Sequence, residues 1–127
     1  MKRLISSLLA VAVLVVMSAP AFAASYGSWS LSAGSTKISS AVKKAATGAI
    51  KVEPTTQTSS RKVWYRGRVG DNSDDKASEA KSYTSKPASI SLPYLDGYGY
   101  VGNTYRLAVQ NDSTSSGSAT VAGSWTP

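Results

Sequence analysis

The sequence contains neither cysteine nor histidine. A Ser-His-Asp triad, a Cys-His pair, a thiolate zinc site and a histidine metal centre are all excluded, since each needs one or the other. No disulfide can staple the fold, so stability must come from packing and backbone ladders. No Gly-rich phosphate loop with its Lys occurs. Acids are scarce, seven against 14 Lys and Arg. General acid–base work would fall to carboxylates, Lys or Tyr, and the carboxylates are poorly placed for it. Asp71, Asp74 and Asp75 sit in a polar run where solvation keeps them ionised, while Glu53 and Asp96 are isolated in sequence. Asp71, Ser73 and Asp75 offer the alternate oxygens that open a calcium loop. Lys76, however, stands where that loop needs Gly, and Ser82 where it needs a bidentate Glu. The chain is therefore expected not to be an enzyme and to hold no metal or cofactor.

Long apolar runs are also missing after residue 23, where nothing approaches the roughly 20 residues of a membrane-spanning helix. The first residues read differently. Lys2 and Arg3 make a basic start, 4–16 is apolar except for Ser6 and Ser7, Pro20 breaks the run, and Ala21-Phe22-Ala23 supplies a small-x-small cut site. That pattern predicts a secretory signal peptide over 1–23, cleaved near Ala23. Of the 127 residues, 104 would remain as one secreted domain, 24–127, extracellular or periplasmic, with no transmembrane segment. A chain of that size buries roughly two-thirds of its unfolded surface, enough for one modest core.

Loss of Lys2 and Arg3 leaves 12 basic residues against seven acids, a net charge of +5. The charge is lopsided. Residues 24–68 carry eight basic residues and only Glu53, whereas 69–127 carry four basic residues and six acids. The first half thus favours an anionic partner through attraction that salt weakens. Outside the cytoplasm the expected partner is an anionic envelope polymer, an anionic lipid surface or an acidic protein rather than nucleic acid; the bland alternative is a basic surface that merely keeps the chain soluble.

Alternation dominates the chain. Over 104–110, Tyr105, Leu107 and Val109 point one way and Arg106, Ala108 and Gln110 the other, the period of a half-buried strand. After a polar stretch, Val121, Gly123 and Trp125 repeat the pattern, and the two runs read as an antiparallel hairpin whose shared face is one wall of a core. A short strand is expected around Trp29 and Leu31. Residues 38–47 fit a short helix or a strand. Residues 49–53 read as a strand stopped by Pro54, followed by a loop to residue 60. Residues 70–82 read as an exposed loop and 88–92 as a strand ending at Pro93. About six to eight short strands with frequent turns predict an all-β domain, a small antiparallel β-sandwich.

One strand stands out for function. Over 62–69, Val63, Tyr65, Gly67 and Val69 share one face, and Lys62, Trp64, Arg66 and Arg68 the other. Cations at alternate positions recur every 6.6 Å or so. Side by side they repel unless something anionic neutralises them, and Trp64 offers a flat stacking surface. The bland alternative is a solvent face with Trp64 covered by basic side chains through cation–π contact. The glycine-spaced Tyr94, Tyr98 and Tyr100 form a second candidate, because Tyr presents a rigid surface and a hydroxyl at low entropic cost. There the competing reading is rings that cap the core while the glycines turn the chain. The candidate ligand-binding residues are Lys62, Trp64, Arg66, Arg68, Tyr98 and Tyr100.

The closing segment, Tyr105-Arg106-Leu107-Ala108, a polar loop, then Val121-Ala122-Gly123-Ser124-Trp125, resembles that of small secreted β-rich proteins of Gram-positive bacteria, some of them bacteriocin-like. The resemblance implies secretion and β structure and carries over no functional residue. The reading is a secreted, non-enzymatic binding protein with a basic face. The alternative is a secreted bacteriocin-like antagonist or an inhibitor of an extracellular enzyme.

Overall fold

The computed structural model describes residues 23–71 and 75–127. Among them are nine strands and no helix: β1 (Ala24–Leu31), β2 (Thr36–Ile38), β3 (Val42–Lys43), β4 (Ile50–Thr58), β5 (Val63–Val69), β6 (Lys81–Tyr83), β7 (Ile90–Leu92), β8 (Thr104–Asn111) and β9 (Ala119–Thr126). The count exceeds the six to eight expected. Residues 38–47 form no helix: Ile38 ends β2 and Val42–Lys43 form β3, which pair separately along β8, and the chain bends at 46–48. The signal peptide lies outside the described residues, apart from Ala23. No helix among the described residues is long and apolar enough to cross a membrane.

The strands form two antiparallel sheets, one in the order β1-β9-β4-β7 and the other β2-β8-β5-β6 with β3 also on β8. Period-two alternation sends one side of each sheet into a single core. Val63, Tyr65, Tyr105, Leu107 and Val109 from the second sheet cluster with Tyr26, Leu31, Ile50, Val52, Val121 and Trp125 from the first. The Tyr26 and Tyr65 rings meet edge-on at 6.5 Å between the sheets. Each large apolar side chain buried here contributes roughly 1.5–3 kcal/mol.

The expected β8–β9 hairpin is not formed. β8 lies between β2 and β5, and β9 between β1 and β4. Both inward faces are as apolar as predicted, but they sit in opposite walls of the core, joined by the 112–118 arch. Period two is the same whether two strands lie side by side or face to face, so alternation alone could not separate the cases. Pro54 likewise does not stop its strand. β4 runs on to Thr58, with Pro54 buried beside a register shift opposite β9. β7 pairs with Ile50, Lys51 and Val52 only, so Pro54 lies beyond the ladder on that edge.

The 70–82 segment is also less exposed than its polarity implied. Ala77 and Ser78 are fully buried. Gly67, lacking a side chain, lets them close on β5: its N–H donates to Ser78 Oγ at 2.8 Å, and its carbonyl accepts from the Ala77 and Ser78 amides. Buried Asn111 joins three connections. Its Nδ2 donates to the Leu31 and Gly117 carbonyls at 3.0 and 2.9 Å, and its Oδ1 accepts from Ser59 Oγ at 3.0 Å.

Candidate functional site

The two sheets present different outer faces. On the first, Ser25, Ser30, Glu53, Thr58, Thr120 and Ser124 fall in paired register, a nearly neutral hydroxyl surface where Lys51 pairs with Glu53 at 3.1 Å. On the second, strand pairing sorts the outward residues into rows. One row is Thr36, Gln110, Trp64 and Ser82. The next is Ile38, Ala108 and Arg66. The third is Arg106, Arg68 and Lys76, three cations in adjacent segments.

The middle row is low because Ala108 and Ala80 are short. Trp64, Arg66, Arg68, Ala80, Ala108 and Gln110 accordingly line a groove of about 260 Å³. The Nε of Arg66 is buried with no hydrogen-bond partner among the described residues. Arg106 is oriented by donating from Nε to the Gly70 carbonyl at 3.1 Å, and Arg68 has interactions of its own. At the other end of β5 the Lys62 ammonium lies 4.8 Å from the centre of the Trp64 ring. Asp112 flanks that end. Hydrogen bonds from the Thr114 hydroxyl and amide, with the Lys62 charge as a lesser cause, hold its carboxyl below the usual range.

The four candidates on β5 and just before it therefore share one face, as predicted, with Trp64 half-buried among them. Part of the cation–π alternative also holds, since Lys62 covers the Trp64 ring. Sequence reasoning missed Arg106, Lys76, Ala108 and Ala80. Arg106 and Ala108 were legible as outward-facing residues, but the strands beside them were not.

Tyr98 and Tyr100 are not gathered to Trp64. They lie on the 93–103 loop, beyond the Arg68 end of β5, some 13 Å or more along the strand from Trp64. Both are exposed, Tyr100 at 63%. Tyr94 does cap the core: its ring lies 4.8 Å from that of Tyr105 and 4.8 Å below the Lys44 ammonium. Lys44 is buried and donates to the Gly48 and Pro127 carbonyls at 2.7 and 3.1 Å. Burial lowers its pKa and raises that of Tyr94.

No protein-family model, curated protein or solved structure matches this chain.

Proposed function

We propose that this chain is a secreted β-sandwich acting as a non-enzymatic binding protein, and that the outer face of the β2-β8-β5-β6 sheet takes an anionic envelope polymer. The observation that carries the reading is the row Arg106, Arg68 and Lys76 beside the Arg66 groove. Like charges directly opposite on neighbouring strands destabilise a sheet. An extended anion laid across the row removes that repulsion and gives Arg66 an acceptor. Arginine suits this work, because its planar fork matches carboxylate and phosphate oxygens in pairs. The hydroxyl face of the other sheet offers no such field.

The test uses mature protein with Lys62, Arg66 and Arg68 all replaced by Gln, and co-sedimentation with purified cell envelopes across a salt series. Wild-type binding is expected to weaken steeply with salt. The triple variant should bind at least tenfold more weakly while keeping its β circular-dichroism spectrum. A Lys51→Gln control on the opposite face should bind as wild type. Undiminished binding by the folded triple variant would refute the assignment.

A further inference from the structure

The loop carrying Tyr98 is held in place on both sides. Leu95 N–H donates to the Ala77 carbonyl at 2.9 Å, Gly102 N–H to the Lys44 carbonyl at 2.9 Å, and Lys44 N–H to the Asn103 carbonyl at 2.8 Å. Two four-residue turns shape it. Tyr98 N–H reaches the Leu95 carbonyl and Asn103 N–H the Tyr100 carbonyl, each with a glycine of positive φ in third place, Gly97 at 87° and Gly102 at 96°. That is the type II pattern, in which third place favours glycine. Tyr98, Tyr100 and Val101 are thus presented outward by a built loop, and they are three of the four large apolar residues exposed among the described residues.

Beneath Tyr98 is a pocket of about 310 Å³, lined also by Asp71, Asn103, Thr104 and Val69. Asp71 follows Gly70, which is fixed by its N–H to the Thr104 carbonyl and by Arg106 to its own carbonyl. The pocket therefore adjoins the Arg68–Arg106 end of the cationic face. Its chemistry differs from that face. Residues bearing a carboxylate, an amide and a hydroxyl line it together with an aromatic residue. The carboxylate repels an anionic group, yet it accepts hydrogen bonds from hydroxyl donors. Hydroxyl donors on a ring with one flat apolar side describe a sugar.

We infer that the Tyr98 pocket is a pyranose subsite, with the ring against Tyr98 and its hydroxyls on Asp71, Asn103 and Thr104. This rests on the anion-binding reading of the adjacent face and narrows it: the ligand is an acidic polysaccharide with neutral sugars between its anionic ones, whose anionic groups meet the arginines while one neutral sugar residue fills the pocket.

The experiment measures binding of the mature protein to hyaluronate and unsulfated chondroitin, in which each uronate alternates with a neutral sugar, and to inorganic polyphosphate of matched charge. At least one polysaccharide should bind about tenfold tighter than polyphosphate. Tyr98→Ala, with its β circular-dichroism spectrum checked against wild type, should weaken polysaccharide binding by about three- to tenfold and leave polyphosphate binding unchanged. Tyr98→Phe should retain most of the affinity. Polyphosphate binding as tight as any polysaccharide, or a Tyr98→Ala variant with wild-type polysaccharide affinity, overturns the sugar subsite and leaves the anionic face standing. Failure of every probe to bind overturns the anion-binding reading, and the subsite with it.

Discussion

Gly67 gives the sharpest test of how the two sheets meet. It faces inward on β5, and a Cβ built there would lie 2.2 Å from Cδ1 of Ile50 on β4 and 3.3 Å from Ser78 Oγ. Carbon atoms pack comfortably at roughly 3.5–4.0 Å, so Gly67→Ala must displace the Ile50 terminus by more than an ångström. Ile50 is fully buried, which leaves it little room to yield. Overpacking of this kind costs roughly 1–3 kcal/mol. Ala recovers something like 0.5 kcal/mol by restricting the unfolded chain. A net loss of about 1–2 kcal/mol is expected, a fall in Tm on the order of 5–15 °C for a domain this small. Ile50→Val alone removes Cδ1 and should cost about 0.5–1.5 kcal/mol. The double variant lacks the clashing atom, so it should be no less stable than Gly67→Ala alone, a favourable coupling of about 1 kcal/mol or more. Urea denaturation of the four proteins measures the cycle. Additive losses would refute the reasoning, because they would mean that Gly67 and Ile50 do not face each other across the core.

Alkaline pH should unfold the protein. Burial pushes Tyr26 up to about 12 and raises Tyr65 and Tyr94 as well. Each raised group adds stability that is complete below its unfolded value near 10 and is lost as pH climbs through the folded one. Tyr26 alone accounts for something on the order of 3 kcal/mol. Lys44, lowered by burial, acts oppositely and adds a small gain as pH approaches 10.5. Loss of β signal should therefore begin above pH 10 and coincide with tyrosinate absorbance from the buried rings; Tyr26, Tyr65 and Tyr94 titrating near pH 10 with the fold intact would contradict this. Asn111→Ala leaves the Leu31 and Gly117 carbonyls without their donor and should cost roughly 2–4 kcal/mol by urea denaturation; a loss under 1 kcal/mol would show that the three connections hold without it. Iodide should quench Trp64 more than Trp29 when each is compared with neutral acrylamide, because only Trp64 lies among cations. Trp64→Phe should therefore lower the iodide-to-acrylamide ratio more than Trp29→Phe, and equal effects would argue against a positive field on that face.

Alternation in the sequence determined that the chain is strand-rich, which side of each strand is oily, and that Lys62, Trp64, Arg66 and Arg68 share an outward face. These are local properties, written in a period of two. The missing cysteines and histidines likewise limited the chemistry before any fold was known. Tertiary structure decided which strands are neighbours. β8 and β9 face one another across the core because their apolar sides meet there, and side-by-side pairing would have matched the same pattern equally well. Pro54 continues a strand because β7 stops short of it, a fact about another segment of the chain. Arg106 and Lys76 join Arg68 only through pairings between residues far apart in sequence or across a loop. A groove needs Ala108 and Ala80 on either side of Arg66, and a strand taken singly carries no record of what lies beside it.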